Sequence, residues 1–200
     1  MFQLFAKGGP VMWPLLLASI VTMAVVLERV WFYLRESRLR RTQDVDVFLE
    51  DLEKNKVKEC LARGRQSSDF VVRVLVYALE NREKSLSNAF LQAANRELGR
   101  FSRGLPVLDT MITLAPLLGL LGTVTGLIHS FGLLGDAQIQ APTALTGGIA
   151  EALVNTAFGL VIAITALIPF NYLNSQLERT RHELEDTGTQ MELILRQSGN

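Results

Sequence analysis

A single cysteine, Cys60, rules out an intramolecular disulfide and a zinc cluster built on thiolates, and its charged surroundings fit a reducing cytoplasm. The two histidines, His129 and His182, lie far apart with no further ligand at metal spacing, which argues against a metal site. An excess of one charge is also lacking. Twenty basic side chains balance twenty acidic ones, so no positive field points to nucleic acid. No nucleophile, base and orienting group stand together at the spacing a catalytic centre uses, so the chain does not read as an enzyme and calls for no cofactor.

What the chain does have is long apolar runs. Gly8 to Leu27 is uncharged, as is Thr110 to Gly135, and Ala144 to Asn174 carries one charge, Glu151. A helix rising about 1.5 Å per residue needs roughly 20 residues to cross about 30 Å of hydrocarbon, so each run suffices for one membrane span. The first run is too long for a secretory signal core. It ends at Glu28 and Arg29 rather than at a small-residue cleavage site, so it reads as a retained helix with Trp31, Phe32 and Tyr33 at its interfacial exit.

Charge placement orients the spans. Sixteen of the twenty Lys and Arg residues lie between Glu28 and Gly104, one precedes them and three follow Asn171. The positive-inside rule then puts that central segment and the tail in the cytoplasm and the N-terminus outside. The expected architecture is an all-α membrane protein with three transmembrane helices and long cytoplasmic helical extensions. Its segments are an external stretch 1–9, a first span 10–34, a cytoplasmic helical domain 35–104, a second span 105–135, an external loop 136–143, a third span 144–170 and a cytoplasmic tail 171–200.

Within the cytoplasmic domain, Val45, Phe48, Leu49 and Leu52, and later Phe70, Val71, Val74, Leu75, Ala78 and Leu79, recur at helical spacing. Two or more amphipathic helices are expected, separated near Gly64 to Asp69. In the tail, Leu177, Leu184 and Met191 recur every seven residues, so the third helix continues past the membrane. A packed or coiled extension fits that repeat, and a solvated amphipathic helix is the preferred reading.

The candidate site lies in the spans. A carboxylate at the centre of a membrane helix costs about 2.5–3.5 kcal/mol, so Glu151 is functional by default. In the second span Pro116, Gly119, Thr123, Gly126 and Ser130 share a face, because spacings of three and four return to the same side. Ala152, Thr156, Gly159, Ala163 and Ala166 make a matching small stripe in the third, flanked by Glu151 and Asn155. Such stripes also serve plain helix packing, and Glu151 is near enough to the span's start to reach an interface.

At this point two motifs become familiar together: a proline followed by Gly119-Leu-Leu-Gly-Thr-Val, and Gly148-Ile-Ala-Glu-Ala-Leu leading to Thr156-Ala-Phe-Gly-Leu. In this order and spacing the chain resembles the ExbB, TolQ and MotA proton-channel superfamily, the ExbB/TolQ branch most closely. The resemblance implies a multi-pass subunit of a motor in the bacterial cytoplasmic (inner) membrane, driven by the proton-motive force. It also implies a homo-oligomer, a pentamer, around two copies of a single-span ExbD- or TolR-like partner whose membrane aspartate carries the proton. A TonB-like or TolA-like transducer then passes the energy to an outer-membrane or envelope transport process. The only further contact expected is membrane lipid.

The positions matching the family's polar pathway are Thr123, Glu151 and Thr156, with Pro116 at the family's proline. Asn155 stands where a small residue is usual. Thr165 stands where ExbB-like sequences commonly carry proline, with Pro169 a turn later, so Pro116, Asn155 and Pro169 are expected to shape or support the pathway. A threonine hydroxyl both donates and accepts, so rings of Thr123 and Thr156 can solvate a partner carboxyl or relay waters without holding the proton. Two other readings stay open: a MotA-like stator of a motility or gliding motor, and a non-conducting membrane scaffold.

Overall fold

The structure is a computed structural model that describes residues 9–136 and 142–198. The expected external stretch up to residue 8, Lys7 included, and most of the expected external loop, 137–141, lie outside the described residues. Seven helices and no strand occur among those described: α1 (Met12–Leu39), α2 (Thr42–Glu53), α3 (Val57–Gly64), α4 (Phe70–Glu80), α5 (Arg82–Ser102), α6 (Leu105–Asp136) and α7 (Pro142–Ser198). Among the described residues, three stretches are long and apolar enough to cross a membrane: Met12–Leu39, Ser85–Gly132 and Thr146–Gln197. Their number matches the three spans expected from the sequence. Together they make this a multi-pass membrane protein.

The described residues fall into two compact units, Met1–Arg29 with Gly104–Tyr172, and Val30–Arg103 with Leu173–Asn200. In the first, the opening part of α1 joins α6 and the first half of α7. Met12, Leu15, Ala115 and Ile162 form its buried cluster, lined by Val11, Leu118 and Phe158. Its outer surface is apolar, with Leu17, Ile20, Leu117, Ile128, Leu153 and Ile168 all exposed. In water such a surface would be costly; against hydrocarbon it is neutral.

The second unit is a helical domain with an aqueous-type core. Asp69, fully buried, caps α4 by accepting from the backbone N–H of Val71 (2.9 Å) and Val72 (3.4 Å), which satisfies two donors that the helix itself leaves free. The same carboxylate accepts from the Arg41 backbone N–H at 2.7 Å and pairs with the Arg40 guanidinium, which also reaches Glu183. Burial pulls the Arg40 pKa down, but the hydrogen bonds to Glu183 and Asp69 outweigh it and leave that pKa above the usual value. The expected break at Gly64 to Asp69 is therefore a built junction.

Ser85 interrupts α5 with an extended backbone (φ −179°, ψ 111°), and its hydroxyl accepts from the Asn88 N–H at 3.3 Å, the geometry of an N-cap. Phe32 and Tyr33, expected at an interface, instead pack edge-on against Phe101, and the Tyr33 hydroxyl donates to the Leu173 carbonyl at 3.3 Å. Leu177, Leu184 and Met191 are buried. The preferred reading of a solvated tail is thus corrected to a packed one. Gly188 shows why: its backbone lies against the Phe90 ring, 2.5 Å from where a Cβ would stand.

Candidate functional site

The site is built on a crossing of α6 and α7 made almost without side chains. A Cβ built on Gly119 would stand 2.9 Å from the Asn155 carbonyl oxygen and 3.0 Å from the Thr156 Cα. One on Gly122 would stand 2.5 Å from the Asn155 Cβ, one on Gly159 2.5 Å from the Ala115 carbonyl oxygen, and one on Gly126 3.4 Å from Ala152. Rising numbers on α7 meet falling numbers on α6, so the two helices run antiparallel with backbones in contact. Small residues at a spacing of three and four are what lets them do so.

This close approach decides what the polar residues meet. Thr156 is half-buried, and its hydroxyl donates across the crossing to the Gly119 carbonyl at 3.3 Å. Thr123, also half-buried, donates to the Leu120 carbonyl of its own helix at 2.6 Å. Both hydroxyl protons are thereby committed to carbonyls. What each oxygen still offers is lone pairs, suited to accept from a protonated carboxyl or a water.

Asn155 is 1% exposed and pressed against Gly122, and its Oδ1 has no hydrogen-bond partner among the described residues. A buried amide oxygen left unpaired costs roughly 1–3 kcal/mol, so this oxygen is a candidate acceptor for a water or a partner group. Glu151 lies one turn before Asn155 on α7 and is half-buried. Among the described residues no hydrogen bond or ion pair engages its carboxylate, which lies against the Cα of Gly9 at the head of α1.

The prolines separate. Pro116 sits inside α6 next to Ala115, which faces Gly159, and its missing N–H leaves the Ile112 carbonyl without its helical donor. Pro169 sits inside α7 about 15 Å further along, at 1.5 Å per residue, and frees the Thr165 carbonyl. Both helices run continuously through their proline. The structure therefore brings Asn155 and Thr156 to the crossing with Glu151 a turn away, sets Pro116 and Thr123 next in sequence to the α6 residues Ala115 and Gly122 that make it, and leaves Pro169 apart.

Sequence reasoning missed three participants: Gly122, the Ala115 carbonyl and Gly9. Gly122 was legible in principle, since it falls three residues after Gly119 and four before Gly126. Gly9 had a weaker signal, a Gly-Gly-Pro sequence at the head of a span.

Residues 52–186 match the model of the MotA/TolQ/ExbB proton channel family. The chain is 39% identical to the ExbB-like 1 biopolymer transport protein of Synechocystis sp., over 96% of this chain and 78% of that protein. It is 31% identical to the biopolymer transport protein ExbB of Salmonella typhimurium, over 92% and 80%. To the Tol-Pal system protein TolQ of Haemophilus influenzae it is 31% identical, over 78% and 74%.

Proposed function

The chain belongs to the MotA/TolQ/ExbB proton channel family, and from that membership we propose that it is the channel-forming subunit of an energy transducer driven by the proton-motive force, working with an ExbD- or TolR-like partner to power an envelope or outer-membrane transport process. One observation carries the reading to particular residues. A carboxylate with no partner among the described residues, Glu151, stands a turn from an orphaned amide and a threonine at a glycine-lined crossing inside an apolar unit.

The chemistry follows from what each group can hold. Thr123 and Thr156 hold no proton, but with their own protons committed they accept one in a hydrogen bond. A protonated carboxyl on the partner's single span is stabilised where such acceptors face it, and is released where they do not. Glu151 can take up or give up a proton, and so exchanges it between that carboxyl and water. Asn155 Oδ1 accepts from a water on the way. The carbonyls freed by Pro116 and Pro169 let the helices hold water or yield to a moving neighbour.

We place the N-terminus outside and the charged helical domain and tail in the cytoplasm, on the sixteen basic residues between Glu28 and Gly104. A pentamer enclosing two partner helices fits the exposed apolar outer surface of the spans, and a TonB-like or TolA-like protein would take up the motion. Three candidate spans among the described residues favour the ExbB/TolQ arrangement over a four-span MotA-like stator.

Complementation in cells tests the proposal. Glu151→Gln, Glu151→Ala and Thr156→Ala are expected to reach the membrane and co-purify with the partner yet fail to support the envelope process. Normal function in all three would return these residues to helix packing.

A further inference from the structure

We infer that Gly9 is a positioning residue for Glu151: the space its absent side chain leaves is where the Glu151 carboxylate lies, so the turn that opens α1 sets the position of the acid on α7. The inference rests on the reading of Glu151 as a pathway residue and adds an element to it from a third helix.

Local sequence makes the turn. Pro10 has φ fixed by its ring and suits the first turn of a helix, and the Gly9 carbonyl accepts from the Met12 N–H at 3.2 Å, which starts α1. Gly9 itself has φ +64°. A residue before proline is normally driven to extended backbone, and of the residues that enter the left-handed region glycine does so at least cost, asparagine next, so Gly9 is there for its backbone.

It is also there for its missing Cβ. A Cβ built on Gly9 falls on the Glu151 Oε1, with Cδ 3.2 Å away and Oε2 4.0 Å away. The whole carboxylate therefore rests on the glycine.

The colliding group decides the consequence. At Gly159 a Cβ meets the Ala115 backbone, which cannot step aside, whereas at Gly9 it meets the far end of a flexible side chain. A substituted Gly9 thus leaves the helices in place and swings the carboxylate out of its position. No other described group holds that carboxylate in place. A proton relay tolerates little displacement of its acid, since transfer needs hydrogen-bond reach of about 2.6–3.2 Å.

The test uses the full chain reconstituted with its single-span partner in liposomes and follows partner-dependent proton flux. Gly9→Ala and Gly9→Asn are both expected to lower it by about tenfold, the scale of a misplaced acid. Asparagine tolerates a left-handed backbone, so if conformation alone mattered, Gly9→Asn would behave as wild type. Adding Glu151→Asp to Gly9→Ala shortens the acid by one methylene and is expected to recover flux above the product of the two single effects, the signature of groups in contact. Losses that simply multiply, or wild-type flux in both Gly9 variants, would overturn the inference.

Proximity can be read without flux. With Cys60→Ala as background, a Gly9→Cys/Glu151→Cys pair is expected to be bridged within one chain by a short bifunctional thiol reagent. Two unbridged thiols would overturn the positioning. The pathway reading fails differently, by full flux in Glu151→Gln, and the bridge would survive that failure.

Discussion

Gly159→Ala tests whether the α6–α7 crossing is as tight as the structure makes it. The new Cβ would stand 2.5 Å from the Ala115 carbonyl oxygen and 3.2 Å from the Gly119 Cα, both backbone atoms of α6. A carbon and a carbonyl oxygen rest at about 3.3–3.6 Å, so the helices must part by roughly 0.8 Å or more. The Thr156 hydroxyl, already 3.3 Å from the Gly119 carbonyl, would then lose its bond. Overpacking of this kind costs about 1–3 kcal/mol.

Alanine also gains about 1 kcal/mol of helix propensity over glycine, which masks part of that cost. Gly99→Ala separates the two terms. Gly99 lies within α5 with nothing within 4 Å of an added Cβ, so it gains the propensity alone. The difference between the variants isolates the crossing, and Gly159→Ala should be less stable than Gly99→Ala by about 1–3 kcal/mol. Denaturant titration in bicelles followed by far-ultraviolet circular dichroism measures it. Equal stability would show that the crossing has room to spare and would refute the backbone contact.

Other expectations concern the helical domain. Asp69→Ala removes the α4 cap and the partner of a guanidinium at once, and should cost roughly 3 kcal/mol, while Asp69→Asn keeps the cap and should cost about 1 kcal/mol. Thermal unfolding of the two variants checks the order, and equal losses would refute the dual role. Cys60 is 1% exposed, and burial, aided by Asp51, pushes its thiol up to about 12. Its thiolate fraction at pH 8 should be roughly a thousandfold below that of a free thiol, so alkylation of the folded protein should be correspondingly slow, and rapid labelling would contradict the burial. Because the folded pKa exceeds the unfolded value, the neutral thiol's contribution is whole below about pH 9 and is lost as pH rises towards 12. Cys60→Ala should flatten that alkaline loss in a pH series of unfolding midpoints.

Much of this was legible in sequence because membrane spans are long, uncharged and need no partner to be recognised. The uncharged run Thr110 to Gly135 lies within one helix, α6, Leu105–Asp136. The small stripes were also readable, since helical period alone places Gly119, Gly126 and Ser130 together, and all three are buried. Pattern stops at the helix surface, however. It could not say that Asn155, classed as a flank, would be the buried residue against Gly122 while Thr156 stayed half-buried, because that depends on the rotation of α7 against α6. The contact of Gly9 with Glu151 joins residues far apart in the chain, and no period links them. The tail repeat was ambiguous for a related reason: seven-residue spacing shows a face, and only the Phe90 ring against Gly188 shows that the face is covered.

Proton flux into liposomes holding this chain, with and without its single-span partner, tests the central claim most directly when wild type is compared with Glu151→Gln and Thr156→Ala. The account predicts flux that requires the partner and is lost in both variants while the complex stays assembled. Partner-dependent flux at the wild-type rate in both would contradict it and leave Glu151 a packing residue.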